Sequence, residues 1–222
     1  MRRIVAAQPA RLERSRFWVI IHPMGVETSY DTGESVRAAR ERYFIDNGFG
    51  AGGNYEEKWA RVDVGPIPFM IPNTPGRVRA IRYHDLHHIL TGYSTKLVGE
   101  FEISAWEIAS GCGRLWFAWM INMTGLVAGL FVNPRAVYRA FVRGRYTRNL
   151  YDRPFDDALL ELQLGELRTQ LGFVEEGEHE ARSRDRLAFA LWVTLAGLFS
   201  LLVVLVHLAA IGGLAWLILR VF

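Results

Sequence analysis

The sequence has little cysteine. Cys112 is the single thiol among 222 residues, so no intramolecular disulfide can form. A lone thiol between two glycines, with no partner base beside it in the sequence, is more typical of a packed side chain than of a nucleophile. We also expect no secretory leader, because Arg11, Glu13 and Arg14 interrupt the N-terminus before any sustained apolar stretch. Both features favour a cytoplasmic main domain.

A large excess of positive charge is missing as well, since the formal net charge is only +3. The sequence carries no recognisable nucleic-acid-binding motif, and we therefore expect no nucleic-acid partner. The arginines instead gather in two patches, within residues 2–16 and 135–148. Arginines beside apolar segments are typical of contact with anionic lipid headgroups. Solvated helix faces on which arginines pair with glutamates would give the same pattern.

Charge is absent altogether from residues 188–219. A helix over this run would be about 48 Å long at about 1.5 Å per residue, whereas about 20 apolar residues suffice to cross a bilayer core. One span over residues 188–206 therefore fits. The remainder, 207–222, would lie along the membrane interface or return as a short second arm after a bend at 209–213.

Three arginines lie just before this run, namely Arg182, Arg184 and Arg186. Positively charged residues beside a membrane span tend to stay on the cytoplasmic side. We therefore expect a membrane-anchored protein whose main domain is cytoplasmic, at a bacterial inner membrane or its equivalent.

A second uncharged run covers residues 115–132. It is long enough for a thin bilayer, but Asn122, Thr124, Gly125 and Gly129 interrupt its apolar face. A helix that lines an apolar pocket or dips into the membrane surface therefore suits this run better than a true span.

No internal repeat and no convincing strand alternation are present, and the predicted fold class is all-α. Prolines between residues 65 and 78 exclude a regular helix there. Apolar spacing, capping residues and closing glycines predict helices over 35–46, 77–91, 98–108, 115–132, 134–143 and 156–171. The predicted domains are an N-terminal segment 1–34, a helical domain 35–175, a charged linker 176–187, and a membrane anchor 188–222 that is a single helix or a helical hairpin.

Histidine is scarce but clustered. His84 and His88 are four residues apart and share a helix face, which is the geometry by which two imidazoles hold one divalent metal. Asp85 can reach the same ion or orient an imidazole, and an antiparallel helical hairpin would bring Glu100 beside His88. We predict a metal site at these four residues, with His87 outside the ligand set. Histidines that merely cap and solvate a polar helix face are the alternative.

Two nitrogen and two oxygen ligands suit a divalent cation, with zinc the expected ion, and leave an open position for a substrate. A histidine box of the membrane di-iron desaturases and hydroxylases is a competing interpretation of His84, His87 and His88. Those enzymes need about eight histidine ligands, and His22, His179 and His207 are the only others here, each isolated. The histidine count therefore excludes that class.

The spacing of the cluster resembles the Coq4 family of ubiquinone (coenzyme Q) biosynthesis proteins. That family carries His-Asp-x-x-His, eleven residues and then Glu, and His84, Asp85, His88 and Glu100 occupy those places. The resemblance covers roughly residues 35–175. The stretches that carry it are 83–92, 94–100, 106–107, 138–144 and 166–172.

The resemblance implies a helical fold, a bound divalent metal and an apolar cavity for a polyprenyl tail. It also implies an activity, the removal of the ring carboxylate from a polyprenylated benzoate precursor with hydroxylation at that carbon. His84, Asp85, His88 and Glu100 would then be catalytic as well as metal-binding. The expected partners are the polyprenyl lipid, the membrane and other quinone biosynthesis enzymes, and a homo-oligomer stays open. A non-catalytic lipid-binding scaffold, in which the metal only braces two helices, is the alternative.

Overall fold

The computed structural model describes residues 30–64, 67–173 and 180–221, and these residues are mostly helical. The all-α fold class is confirmed. In chain order the elements are α1 (Val36–Asp46), a 3₁₀ turn (Ala51–Asn54), β1 (Trp59–Val64), β2 (Ile67–Pro72), α2 (Pro75–Thr91), α3 (Leu97–Ser110), α4 (Trp116–Val132), α5 (Pro134–Tyr146), α6 (Asp157–Glu161), α7 (Leu164–Gln170) and α8 (Ser183–Val221).

The helix ends follow local chemistry. The Ser35 hydroxyl accepts the Ala38 N–H at the start of α1, and the Thr74 hydroxyl does the same for Arg77 at the start of α2. Gly92 ends α2 with φ 78°, a left-handed conformation that glycine adopts without steric cost. These ends agree with the predicted helices to within a few residues.

The small hairpin of β1 and β2 was not predicted. The two strands are antiparallel, with Trp59 opposite Pro72 and Val64 opposite Ile67. Prolines cannot continue a helix, but the edge of a two-stranded ribbon tolerates them because an edge N–H needs no ladder partner. The prolines therefore correctly excluded a helix, but they did not exclude the strands that the structure has there.

The predicted helix over 156–171 is wrong, because the structure divides it into α6 and α7. Leu162 and Gln163 are extended between the two helices. The Leu162 carbonyl accepts the Val36 N–H at 2.9 Å, and the Leu164 N–H donates to the Glu34 carbonyl at 2.9 Å. Backbone pairing with the segment before α1 replaces the helical hydrogen bonds at this point.

Helix α3 is central, packed against both α4 and α5. Trp106 on α3 is fully buried, and its indole N–H donates to the Thr147 hydroxyl at 2.8 Å. Gly144 on α5 lets the helices approach closely, since a Cβ there would lie 2.4 Å from the Trp106 carbonyl oxygen. Helix α2 lies beside α3, where its histidines face Glu100 and Glu107, and the predicted metal residues lie at this junction.

Helix α8 is one continuous helix, so the single-helix alternative holds and the predicted bend at 209–213 is absent. Among the described residues it is the one helix long and apolar enough to cross a membrane. Its first half belongs to the folded domain. The Trp192 ring stacks on Trp119 of α4 at 5.2 Å, and Phe189 meets Phe141 of α5 at 5.1 Å.

The structure describes only part of the two predicted segments on either side of the helical domain. Residues 180–187 of the predicted linker are described, and the first turn of α8 lies among them. The predicted N-terminal segment lies outside the described residues apart from 30–34. Helix α4 packs on α3, α5 and α8, yet it leaves Phe131 86% and Trp116 66% exposed.

Candidate metal centre

Three side chains from two helices converge at the junction of α2 and α3. His84 and His88 lie on one face of α2, and Glu100 lies in the first turn of α3. The two Nε2 atoms are 3.2 Å apart. Glu100 Oε2 is 3.3 Å from His84 Nε2, and Glu100 Oε1 is 3.4 Å from His88 Nε2. This group could hold a metal ion.

The hydrogen bonds on the far side of each ring fix where the ring protons lie. His88 Nδ1 is 2.9 Å from the Tyr93 carbonyl oxygen, which can only accept, so Nδ1 carries the proton. His84 Nδ1 is 2.9 Å from a Glu107 carboxylate oxygen and is assigned the proton in the same way. Both Nε2 atoms therefore turn lone pairs toward each other and toward the Glu100 carboxylate.

Three electron-pair donors at these distances repel unless a cation lies among them. Either a proton on His84 or a metal ion can fill that role. Burial opposes protonation of His84, but the Glu107 and Glu100 carboxylates outweigh it and raise the pKa of His84 well above its usual range. The donor set of two imidazoles and one carboxylate fits a divalent transition metal.

A buried carboxylate, Glu107, stands behind the triad. It is fully buried on α3 and accepts hydrogen bonds from His84, His87, Asn122 and Tyr151. Burial alone would raise the pKa of Glu107, yet the charge on His84 and the hydrogen bonds from the two histidines lower it below its usual range. A carboxylate that takes the Nδ1 proton of a ligand histidine fixes the ring orientation and raises its basicity.

Sequence reasoning missed Glu107 as a site residue, although the signal was available. Glu107 follows Glu100 by seven residues on one helix, and a seven-residue step returns to nearly the same face.

His87 makes different contacts from its neighbours His84 and His88. Its Nδ1 donates to Glu107 at 2.7 Å, and its Nε2 accepts the Leu150 N–H at 3.0 Å. Both ring nitrogens are therefore used. Burial lowers the pKa of His87 and keeps the ring neutral. This side chain ties α2 to the segment after α5.

Asp85 does not join the triad, although the sequence placed it in the ligand set. Its carboxylate oxygens accept hydrogen bonds from the Tyr43 hydroxyl at 3.2 Å and from the Tyr55 hydroxyl. Burial raises the pKa of Asp85 in spite of these bonds. The Tyr43 ring also stacks against His88, with centroids 5.9 Å apart. Asp85 is thus linked through Tyr43 to His88, a candidate metal ligand.

The loop between α2 and α3 supplies the carbonyl that orients His88. It folds back tightly, because Gly99 lies against Ser94, and a Cβ at Gly99 would be 2.0 Å from the Ser94 carbonyl oxygen. The Tyr93 carbonyl oxygen of this loop lies 2.9 Å from His88 Nδ1.

Glu100 is the most exposed member of the triad. The Glu100 side chain is 41% exposed, whereas those of His84 and His88 are 19% and 2% exposed. A ligand from outside would therefore approach past Glu100, with the histidines forming the floor.

No protein-family model, no curated protein and no solved structure matches the chain.

Proposed function

We propose that this chain is a membrane-anchored metalloprotein of ubiquinone biosynthesis that acts on a polyprenylated benzoate precursor. The observation that supports the metal centre is the convergence of two imidazoles and one carboxylate, on His84, His88 and Glu100, whose ligand atoms lie within 4.8 Å of one another. The substrate class rests on the Coq4-like spacing of these residues with Asp85.

The proposed ion is zinc. Catalytic zinc sites use three protein ligands and keep an open position, whereas structural zinc sites are closed by four. The triad has three ligands and an exposed side at Glu100. When bound, such an ion would supply Lewis-acid polarisation of the ring carboxylate or of an adjacent phenolate.

The proposed reaction breaks the bond between the ring carbon and its carboxylate and releases carbon dioxide. Water supplies the oxygen of the hydroxyl that replaces it, and a two-electron oxidant, as co-reactant, accepts the two electrons. His84 and His88 would hold the ion beside the head group of the substrate, and Glu100 would line the entrance of the site. Glu107 would keep the His84 ring in place, and Asp85 would act through Tyr43 on His88. The prenyl tail would reach the bilayer that α8 enters.

The main domain would then be cytoplasmic, because Arg182, Arg184 and Arg186 flank the start of α8. Other quinone biosynthesis enzymes are proposed partners at that surface. A scaffold that binds prenyl lipid without catalysis is the second candidate, since a metal held by α2 and α3 would also brace those two helices.

The test uses the full chain purified in detergent. Elemental analysis should find stoichiometric metal in the wild type and in H207A, whose histidine lies far along α8, and little in H88A or E100A. Elemental analysis also separates zinc from iron, which takes the same two-histidine, one-carboxylate set.

Turnover is measured as release of labelled carbon dioxide from a prenylated hydroxybenzoate, and bound lipid is identified by mass spectrometry. The enzyme hypothesis expects turnover in the metal-loaded wild type and none in H88A. Metal and prenyl lipid without turnover would select the scaffold. Turnover by metal-free protein would overturn the proposed site.

A further inference from the structure

We propose that the chain binds a small organic anion in a cleft on the face of α2 opposite the candidate metal centre. The cleft has a volume of about 580 Å³ and lies between α2 and the segment that joins α5 to α6. Volumes of this size are typical of small-molecule sites. The proposed ligand has a carboxylate or phosphate head and an apolar body, and the inference does not rest on the proposed function.

The cleft occupies its own face of α2. Helix α2 lines it with Pro75, Val78, Arg79 and Arg82, which stand at the positions i, i+3, i+4 and i+7 of one helix face. His84 follows Arg82 by two residues and lies about 200° round the helix at about 100° per residue. The cleft and the candidate metal centre are therefore separate places on the same helix.

Arg82 brings a positive charge into the cleft for which the protein offers no anion. Its Nε atom is buried and has no hydrogen-bond partner, and no carboxylate in the described part of the chain forms a salt bridge with Arg82 or Arg79. A guanidinium keeps its charge inside a protein. An N–H that has left water without finding an acceptor costs free energy, and an anion in the cleft would offset that cost.

The carboxylates of this region have other partners. Asp85 accepts hydrogen bonds from two tyrosine hydroxyls. Asp156 accepts the Leu159 N–H at 3.0 Å and thereby caps α6. Neither carboxylate is within salt-bridge distance of Arg82.

A second guanidinium strengthens the positive potential beside the cleft. The Cζ atoms of Arg40 and Arg82 lie 5.4 and 5.9 Å from the centre of the Phe155 ring, which lines the cleft. Both also lie 5.4 Å from the centre of the Tyr55 ring. The rings hold the two cations by their π faces and leave their charge uncompensated, so this part of the surface attracts anions.

The chemistry of the walls defines the ligand. One edge of a guanidinium donates two parallel hydrogen bonds, a geometry that fits a carboxylate or two oxygens of a phosphate. The rest of the wall is largely apolar and includes Pro75, Val78, Pro154 and Phe155. These side chains suit an aromatic or aliphatic body attached to the anionic head.

Isothermal titration calorimetry of the full chain in a non-ionic detergent tests the site, with benzoate and phenyl phosphate as probes. At least one probe should bind saturably, and which one binds identifies the head group. R82Q should weaken that binding by about tenfold or more, the usual effect of losing a hydrogen bond to a charged group. R82K should lie between R82Q and the wild type, because it keeps the charge but not the planar edge.

The matched control is R114Q, which changes an exposed arginine in the loop between α3 and α4 and should bind like the wild type. E100A should also bind like the wild type, which separates this site from the metal centre. Inorganic phosphate should bind more weakly than phenyl phosphate, because it lacks the apolar body. Equal affinities for these two probes would overturn the apolar part of the ligand.

V78E separates a lost site from a lost fold. The new carboxylate would stand four residues before Arg82, an arrangement that favours an ion pair along a helix. It should abolish anion binding while the melting temperature stays at or above that of the wild type. The proposal is overturned if the wild type binds neither probe saturably, or if the wild type, R82Q and V78E bind with equal affinity.

Discussion

Each nitrogen in the histidine cluster has its own partner. On His84 and His88 the Nδ1 atoms donate to Glu107 and to the Tyr93 carbonyl, which frees both Nε2 lone pairs for a cation. On His87 both nitrogens are consumed by protein groups. Three neighbouring histidines thus divide into two candidate metal ligands and one cross-link between segments, and the difference lies in which buried groups they contact.

Replacing Glu107 by Gln should weaken metal binding by about 10–100-fold, the usual loss when an outer partner of a ligand histidine is removed. The neutral amide accepts weaker hydrogen bonds from His84 and makes its ring a poorer donor. Affinity is measured by competition with a chromophoric chelator. E161Q, a surface change at a residue paired with Arg37, should keep wild-type affinity. Equal affinities for E107Q and the wild type would refute this role.

Replacing His87 by Phe should destabilise the fold but spare the metal. The change leaves the Leu150 N–H and one Glu107 interaction unsatisfied in the interior, at a cost of about 1–3 kcal/mol each. Urea unfolding measures the loss, and elemental analysis of the folded fraction measures the metal. A folded H87F protein without metal would make His87 a ligand after all.

At the scale of elements, the metal centre depends on how tightly α2 turns back into α3. Gly92 ends α2 in the left-handed region, and Gly99 admits the Ser94 carbonyl against α3. The loop between them carries the Tyr93 carbonyl that orients His88. Backbone geometry in this loop therefore controls the direction of a ligand lone pair.

The variant G99A should lose stability and metal affinity together. Alanine would gain about 1 kcal/mol of helix propensity, but its Cβ meets backbone atoms of Ser94 at 2.0 and 2.7 Å. Such overpacking costs about 1–3 kcal/mol and displaces the loop. G197A is the control, because nothing lies within 4 Å of its Cβ. Thermal melting that ranks G99A at or above the wild type would contradict the close contact.

The base of α8 is held to α5 by one buried carboxylate. Asp185 is 1% exposed and accepts hydrogen bonds from the Tyr146 hydroxyl at 2.8 Å, from Arg145 and from the Arg182 N–H. Burial opposes its ionisation, but these bonds lower the pKa of Asp185 below its usual value. A group whose folded-state pKa is lowered stabilises the fold above its unfolded pKa, about 3.9 for Asp, and loses that contribution as pH falls through the folded-state value.

The urea midpoint of D185N should therefore lie below that of the wild type at pH 7, and the gap should close as pH falls below about 4. Fluorescence of the stacked Trp119 and Trp192 pair reports the detachment of α8. D157N, at an exposed partner of Arg37, should show little change at either pH. A gap between D185N and the wild type that persists at low pH would exclude the carboxylate as its cause.

At the scale of the whole molecule, a metal bound by His84, His88 and Glu100 would join α2 to α3, and α3 is the centre of the helical core. A ligand that binds only the folded state stabilises it by about 2.7 kcal/mol at 100 times its Kd. Chelation should therefore lower the melting temperature of the wild type and leave that of E100A unchanged. A chelator effect of equal size in E100A would assign the metal to another site.

The sequence by itself determined most of the helices and the shared helix face of His84 and His88. Caps, closing glycines and apolar spacing act within a few residues, so α1, α2, α3 and α4 could be located without tertiary information. His84 and His88 share a face because the helix period alone brings residues four apart together.

Contacts between segments distant in the sequence decided the rest. Asp85 accepts hydrogen bonds from Tyr43 and Tyr55 and does not lie in the triad, and Glu107 is the acceptor for His84 and His87. Pairing with the chain before α1 broke the helix at Leu162. Packing also decides how much of α8 is left to contact a membrane. The residues of α8 are apolar both where they pack on α4 and α5 and where they face outward, so hydrophobicity alone does not separate the two parts. Periodicity fixes which residues share a face, but only packing decides what that face meets.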